Sequence, residues 1–496
     1  MAPIKVRNPV TGQLVGTVNP ASSSDLAAMA ARARQAQQKW SRLPFSTRAG
    51  IIAGFHDRVI DRSSQILDTI QNETGKTRRD AFAEVVSVAG TARYYLSHGK
   101  SILASRRKRG AVPFVTRSVL EHRPYGIVGL ITPWNYPFLL SMGDAMPALL
   151  AGNAVLLKPS ELTPLSAVLG KELLVDSGLD PDLFSIAHGA GDVGSELIHH
   201  VDSIGFTGGS STGRKVAVAA AERLIPFSLE LGGKNPMIVL KGASLKDAAA
   251  GLLSGAFSNA GQTCISIERV YIEESIFEEF SRLVTAATRQ LKLGWSASWD
   301  MDVGSLIHTA HAEKVQGHID EAVQNGARVL TGGCRRPDLG PAFVEPAVLT
   351  HVSHRAAIST QETFGPVISL YPVQSANEAI VMANDSNYGL NASVWAGQTR
   401  EALAVARQIE AGSVGIHSTL MIYNAFDVPM GGMKISGVGR RHGEHGLLRY
   451  TQEQSIVTSF SKGGGYDSML GKIRSQKFAE GILKCVRMWR RIPGIR

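Results

Sequence analysis

The stretch Gly126-Ile-Val-Gly-Leu-Ile-Thr-Pro-Trp-Asn-Tyr-Pro137 runs from an unbroken apolar segment into a loop whose backbone two prolines fix. A short apolar run of this kind, bounded by turn residues, reads as a strand buried on both faces. The pattern then repeats. A helix follows Pro137, then come a strand over 154–158, a helix over 163–177, a strand over 183–187, a helix over 193–200 and a strand over 203–206. The glycine turn Thr207-Gly-Gly-Ser-Ser-Thr-Gly213 opens the next helix. Strands alternating with helices of this length predict a parallel α/β sheet with ligands at the strand ends.

The alternation resumes downstream with strands over 236–240 and 269–272 and helices over 248–259 and 277–292. These predict a second α/β domain running to about residue 437. Upstream, 22–40, 48–72 and 79–96 read as helices, and 115–123 as a strand-like stretch. The basic run Arg106-Arg-Lys-Arg-Gly110 between them reads as a solvated turn.

The chain has 496 residues and is 44% hydrophobic, enough to bury large cores in two or three domains. Its three cysteines, Cys264, Cys334 and Cys485, cannot frame a disulfide scaffold and suggest a reducing, cytoplasmic setting. No Cys-x-x-Cys or His-x-x-x-His spacing suggests a metal, and His199-His200 read as loop or helix-end residues. The start of the chain has no apolar signal-like region, and no apolar run reaches the roughly 18 residues of a membrane span. The net charge of +10 is concentrated: from Lys462 onward nine basic and two acidic residues give +7, leaving +3 for everything before. A nucleic-acid-binding body would spread its basic charge, so nucleic acid is not expected as a partner.

Two short motifs carry the chemistry. Phe257-Ser-Asn-Ala-Gly-Gln-Thr-Cys264-Ile265 sets a thiol in a polar, backbone-rich loop. A thiolate attacks carbonyl carbon when amides or positive potential lower its pKa. Leu229-Glu230-Leu-Gly-Gly-Lys-Asn-Pro236 holds a lone carboxylate between apolar residues, where half-burial would raise its pKa toward general-base work. Asn135 offers amide hydrogens to an oxyanion, or bonds its own turn. Lys158-Pro-Ser160-Glu161 at a strand end suits ribose hydroxyls, or a surface ion pair. The 208–213 glycine turn suits a pyrophosphate at a helix N-terminus. Gly75-Lys76-Thr77 lacks the first glycine of a phosphate loop, that position being Ile70.

Over about residues 5–460 the sequence resembles the aldehyde dehydrogenase superfamily. The resemblance rests on the glutamate and cysteine motifs, Pro133–Pro137, Lys158–Glu161, Glu362-Thr-Phe364-Gly-Pro366, and Pro429-Met430-Gly-Gly-Met-Lys-x-Ser-Gly437. It is closest to a bacterial branch labelled succinate-semialdehyde dehydrogenase. The resemblance implies an α/β fold: a Rossmann-like NAD(P)-binding domain (1–109 and 124–231), an α/β catalytic domain (232–445) and a small β oligomerisation arm (110–123 and 446–461). Residues 462–496 then form a basic amphipathic tail. The arm implies a homodimer or homotetramer.

The implied reaction oxidises an aldehyde to a carboxylic acid. Cys264 is the nucleophile, Asn135 and the Cys264 N–H hold the oxyanion, and Glu230 is the base that releases the thioester. The implied cofactor is NAD, with NADP possible. Lys158, Ser160 and Glu161 lie around the adenosine ribose, and Glu161 disfavours a 2′-phosphate. Trp134, Gly208, Gly209, Ser210, Gly213 and Leu231 lie along the rest, with Glu362 and Phe364 at the nicotinamide ribose. Gly209 stands where the family has a phosphate-contacting Ser, with Ser210 as its substitute. His417 stands where many members carry Asn, and Arg441 where some carry an acid.

The expected substrate lining is Tyr136, Leu139, Met142, Ile265, Phe426 and Met430. Arginines that bind a substrate carboxylate in succinate-semialdehyde enzymes fall at Gly143 and Ser258 here. The lining therefore favours a medium- or long-chain or aromatic aldehyde, with succinate semialdehyde as the alternative. A CoA-acylating enzyme would typically lack the glutamate, and an inactive structural homologue would show damage at Cys264, Asn135 or Glu230. In the tail, Leu470, Ile473, Phe478, Ile482, Val486 and Trp489 recur at mostly helical spacing, with Lys472, Lys477, Lys484, Arg487, Arg490 and Arg491 between them, after a Gly463-Gly-Gly465 joint. Such a helix either lies on an anionic membrane surface or docks on the subunit or its partner.

Overall fold

The computed structural model describes residues 2–110, 116–460, 471 and 473–489. The chain divides into two compact units, one of Met1–Ile102 with Pro124–Thr451, the other of Leu103–Arg123 with Gln452–Arg496.

The larger unit holds two large sheets beside two small two-stranded ones. In the first, the strand order is Gly437–Val438, Phe227–Glu230, Ser203–Thr207, Ile127–Ile131, Ala154–Lys158, Phe184–Ile186. The last five are mutually parallel. Ile127–Ile131 and Ala154–Lys158 are buried at every position, as expected of strands covered on both faces by helices. The two-residue strand Gly437–Val438 closes one edge antiparallel to Phe227–Glu230. It is too short to show a period-2 pattern, so the sequence gives no sign of it.

The second sheet runs Arg328–Thr331, Ala347–Thr350, Val367–Val373, Ile267–Glu273, Asn235–Val239, Asn391–Trp395, Ser413–Ile416. It is parallel except at the Arg328–Thr331 edge. Its core gathers Met237, Ile238, Val270, Ile368, Leu370 and Val394, all essentially inaccessible to solvent.

Local departures from the sequence reading have physical causes. The expected 48–72 helix is two, Phe45–Asp61 and Ser63–Thr74, parted at Arg62, whose φ of −100° and ψ of 21° break the helical path. Gly75 then ends the second helix in the left-handed region (φ 73°). The expected 79–96 helix extends over Arg78–Ile102.

In the smaller unit the strand order is Thr451–Ser459, Thr116–Pro124, Arg106–Arg109. The basic run read as a turn is therefore a strand, Arg106–Arg109, antiparallel to Thr116–Pro124. Charged side chains along the edge of a sheet discourage further pairing, which reconciles that composition with a strand. Among the described tail residues, Gln476–Trp489 is a helix. Gly463–Gly465, Leu470, Lys472, Arg490 and Arg491 lie outside the described residues, as does the Trp489 side chain. No helix among the described residues is long and apolar enough to cross a membrane.

Candidate active site

The loop 132–136 joins the strand Ile127–Ile131 to the helix Pro137–Leu150, which starts on a proline. Its shape is set from beneath by a buried ion pair. Glu84 accepts hydrogen bonds from the Phe138 and Leu139 amides, each at 3.0 Å, placing an anion at the helix N-terminus. Glu84 Oε1 also receives Lys76 Nζ at 2.7 Å, and the same ammonium donates to the Asn135 carbonyl at 2.7 Å. The Asn135 side chain donates to Gln262 O at 3.0 Å, across to the cysteine loop.

That loop follows the helix Leu245–Phe257 through a 3-10 turn, Ser258–Gly261, in which Asn259 (φ 52°), Ala260 (φ 54°) and Gly261 (φ 73°) are all left-handed. At Gly261 only glycine fits, because a Cβ would lie 2.1 Å from Gly365 O. Asn235 then clamps the nucleophile segment, its amide donating to Cys264 O at 2.9 Å and Ser266 O at 2.7 Å. A Cβ at Gly233 would lie 2.5 Å from Cys264 O, so the second glycine of the glutamate motif permits this approach. Cys264 is half-buried. Burial pushes its thiol up to about 12, the Arg441 cation opposing and the Glu230 and Glu362 charges reinforcing the rise. The resting group is thus a thiol, and the thiolate the sequence invokes has to be made by proton transfer.

Glu230 ends the strand Phe227–Glu230 and is buried at 5% exposure, more deeply than the sequence suggested. Burial raises its carboxyl to about 7, against the pull of Arg441 and Arg449 and with a push from Asp144. Its Oε1 has no hydrogen-bond partner among the described residues. Behind it, Arg441 grips Asp144 with Nε and Nη2 at 2.9 and 2.7 Å and reaches Thr207 Oγ1 at 2.9 Å, while Arg449 Nη2 meets Asp144 at 2.6 Å. Two buried cations against one anion leave a net positive charge that favours an ionised Glu230. His417, the other departure, bonds main-chain Ala396 instead.

The 362–366 loop is held by Glu268, which accepts the Thr363 and Phe364 amides at 3.0 and 3.1 Å and pairs with buried Lys234. Glu362 accepts the Gly233 amide at 2.8 Å, and burial raises its carboxyl to about 7. Phe364, at φ 58°, meets Trp134 edge-on with ring centroids 5.5 Å apart.

These segments enclose three cavities. The first, about 250 Å³, is lined by Trp134, Asn135, Gly208, Gly209, Glu230, Leu231, Cys264, Glu362 and Phe364. The second, about 630 Å³, is lined by Lys158, Ser160 and Glu161 and shares Pro133, Trp134, Thr207 and Gly208 with the first. The third, about 130 Å³, is lined by Tyr136, Leu139, Thr263, Ile265, Tyr423 and Asp80. Cys264 therefore faces the first cavity while both its chain neighbours face the third.

The remaining expected residues fall around these spaces rather than in them. Ser210 opens the helix Ser210–Glu222 and gives its hydroxyl to Ile435 O at 3.2 Å. Gly213 packs on Leu231, since a Cβ there would lie 2.5 Å from Leu231 Cδ2. Met142 packs against Gly170, Phe426 against Gly90, and Met430 behind Cys264 with Ile265 and Leu390. None of these three methionine and phenylalanine side chains lines the third cavity.

The sequence reading missed His311 and Lys314 in the first cavity, Asp192 and Lys215 in the second, and Asp80 and Tyr423 in the third. His311 bonds Phe364 O at 2.8 Å, and burial lowers it to about 4. His311, Lys314 and Lys215 sit on helices whose pattern shows only which face is buried. Asp80 is three residues from Thr77, with which it exchanges hydrogen bonds, and that spacing is the one local signal available.

The model of the Aldehyde dehydrogenase family matches residues 2–456. A protein of Mycolicibacterium smegmatis named "Putative succinate-semialdehyde dehydrogenase [NADP(+)]" is 44% identical over 486 residues, 98% of this chain and 93% of its own. The 4,4'-diapolycopene aldehyde oxidase of a Methylomonas species is 37% identical over 467 residues, 93% of this chain and 87% of its own. The structure of a Mycobacterium tuberculosis aldehyde dehydrogenase complexed with NAD+ superposes with a TM-score of 0.89 at 32% identity, covering 93% of this chain and 95% of that one.

Proposed function

Because the chain belongs to the aldehyde dehydrogenase family, we propose that it oxidises an uncharged, largely apolar aldehyde to the carboxylic acid with NAD(P)+, through Cys264, Glu230 and Asn135. The observation that carries this reading is the position of Cys264 between two spaces. Its side chain shares a cavity with Glu230, and Thr263 and Ile265 on either side of it line another. A nucleophile so placed takes its aldehyde from one side and presents it to a cofactor on the other.

The residues present suit a dinucleotide. Lys158, Ser160 and Glu161 would take the adenosine ribose, the N-terminus of Ser210–Glu222 the pyrophosphate, and Glu362 with Phe364 the nicotinamide ribose. At Gly209 the space is open enough for close approach, with nothing within 4 Å of a notional Cβ. The bound nicotinamide supplies a hydride acceptor. The relative from M. tuberculosis is described with NAD+ and that from M. smegmatis is named for NADP+. In this chain Glu161 favours NAD, while Lys215 in the same cavity offers a cation that tolerates a 2′-phosphate.

The protein's part is proton handling and positioning. Glu230 or an intervening water takes the Cys264 proton as sulfur adds to the carbonyl carbon. The Asn135 amide and the Cys264 N–H stabilise the oxyanion, a contribution of several kcal/mol in such sites. After oxidation, Glu230 takes a proton from the water that attacks the thioester, and the acid leaves with Cys264 restored.

The uncharged substrate is supported by the third cavity, whose lining includes Asp80 and neither lysine nor arginine among the described residues. A substrate carboxylate would be desolvated there beside another carboxylate and without a cation. Succinate semialdehyde is the second reading, favoured by the relative's name; the Methylomonas relative is named for a carotenoid aldehyde. Initial rates with succinate semialdehyde, hexanal, decanal and benzaldehyde test the choice, and saturation by the semialdehyde at the lowest concentration would reverse it. Replacing Cys264 by Ser should abolish acid formation from every one of them.

We assign 1–109 with 124–231 to cofactor binding, 232–445 to catalysis and 110–123 with 446–461 to subunit association as a homodimer or homotetramer. The last is supported by the strand Thr451–Ser459, which stays exposed from Gln452 onward, and by solvent-facing Val457 and Phe460 (63% and 62%).

A further inference from the structure

We propose that the helix Gln476–Trp489 is a peripheral anchor for an anionic phospholipid bilayer. Phe478, Ile482, Cys485 and Val486 recur at the spacing of one helical face. Lys477, Glu480, Lys484 and Arg487 fall on the opposite face. The apolar face is turned to solvent, with Phe478 49% and Val486 51% exposed and Leu483 and Met488 beside it at 65% and 59%. A helix of 14 residues is too short to span a bilayer of roughly 30 Å, so it would lie in the interfacial plane.

Charge decides the occupant. The segment from Lys462 onward carries +7, and the rest of the chain only +3. A second copy of this chain, itself net positive, offers no net opposite charge, whereas an anionic bilayer pairs apolar depth with opposite charge. The helix also lies beyond residue 456, where the match to the family ends. The match to the M. smegmatis protein spans 98% of the chain, and the remainder is too short to leave this helix out. The likeness to that relative thus continues past the end of the family match.

The test is flotation of the full-length protein with vesicles of phosphatidylglycerol or of phosphatidylcholine. Binding to the anionic vesicles and weakening with salt are expected, with little binding to the neutral ones. Each basic residue near an anionic surface contributes about fivefold to partitioning, so Lys477→Gln, Lys484→Gln and Arg487→Gln together should lower it on the order of a hundredfold. Phe478→Glu with Val486→Glu should abolish it, and neither set should change hexanal oxidation in solution. Equal binding to both vesicle types, or unchanged binding by either variant, overturns the proposal. So does a change of oligomeric mass in the Phe478→Glu, Val486→Glu protein without lipid, which would assign the face to a second copy.

Discussion

Lys76 Nζ lies 2.7 Å from Glu84 Oε1, both side chains are withdrawn from solvent, and the same ammonium holds the Asn135 main chain at 2.7 Å. This pair lines none of the three cavities yet fixes the loop that carries the proposed oxyanion donor. Removing one member of such a buried pair strands the other charge, at a cost of about 3–5 kcal/mol. Lys76→Met should therefore lower the denaturation midpoint clearly. Released from its anchor, the Asn135 loop should also lose about a hundredfold in kcat, the scale of a 1 Å misplacement. Denaturant melts and steady-state rates check both. A variant of normal stability and turnover would mean that the proline-fixed loop needs no anchor.

Glu230 titrates near 7 in the fold instead of near 4.5 because it is buried. The base proposed here works when ionised, so thioester hydrolysis should rise with pH through about 7. Glu230→Gln should remove this limb and leave a burst of reduced cofactor followed by slow turnover. The stability effect has the opposite sense. A carboxyl whose pKa is raised on folding stabilises the fold below about 4.5 and loses that contribution as pH climbs through 7. Glu230→Gln should thus be relatively more stable than the parent above pH 7. Arg441→Met, which removes the cation that most opposes the rise, should move the activity limb to higher pH.

The sequence exposed the fold wherever one element dictates its own pattern. The strands Ile127–Ile131 and Ala154–Lys158, apolar up to the closing lysine, and their intervening helix could be read directly. Cys264, Glu230 and Asn135 announced themselves through fixed-spacing motifs, and the fold lines one cavity with all three. What stayed hidden depends on distant partners. Arg106–Arg109 looks like a turn until Thr116–Pro124 pairs with it. Met142 looks like a pocket residue until Gly170, on the helix Leu165–Asp176, leaves room for its side chain. Arg441 and Lys76 carry no local signature and Asp80 only its spacing from Thr77, because their importance lies in which charges the tertiary fold sets beside them.

Glu161 is 43% exposed and 3.5 Å from Lys158, so its charge is partly screened. Glu161→Gln should relieve repulsion of a 2′-phosphate by about 1.4 kcal/mol and improve kcat/KM with NADP about tenfold. The value with NAD should fall, since one ribose acceptor is weakened. Parallel titrations with both cofactors give the ratio directly, and an unchanged ratio would place the discrimination elsewhere in the second cavity, with Lys215 the next residue to replace.

Ser258 lines the third cavity and gives its hydroxyl to Ser254 O at 2.7 Å, leaving no fixed charge at this position. If the missing cation is what disfavours an anionic substrate, Ser258→Arg should supply it. A charge-assisted hydrogen bond contributes about 1.5–3 kcal/mol, so kcat/KM for succinate semialdehyde should rise roughly tenfold to a hundredfold. The same side chain narrows a cavity of about 130 Å³, so decanal oxidation should fall. The opposed directions separate a specificity change from general damage, which would lower both. Should the parent already turn over the semialdehyde efficiently and Ser258→Arg add nothing, a cation from outside the lining must reach the substrate, and the case for an uncharged aldehyde fails.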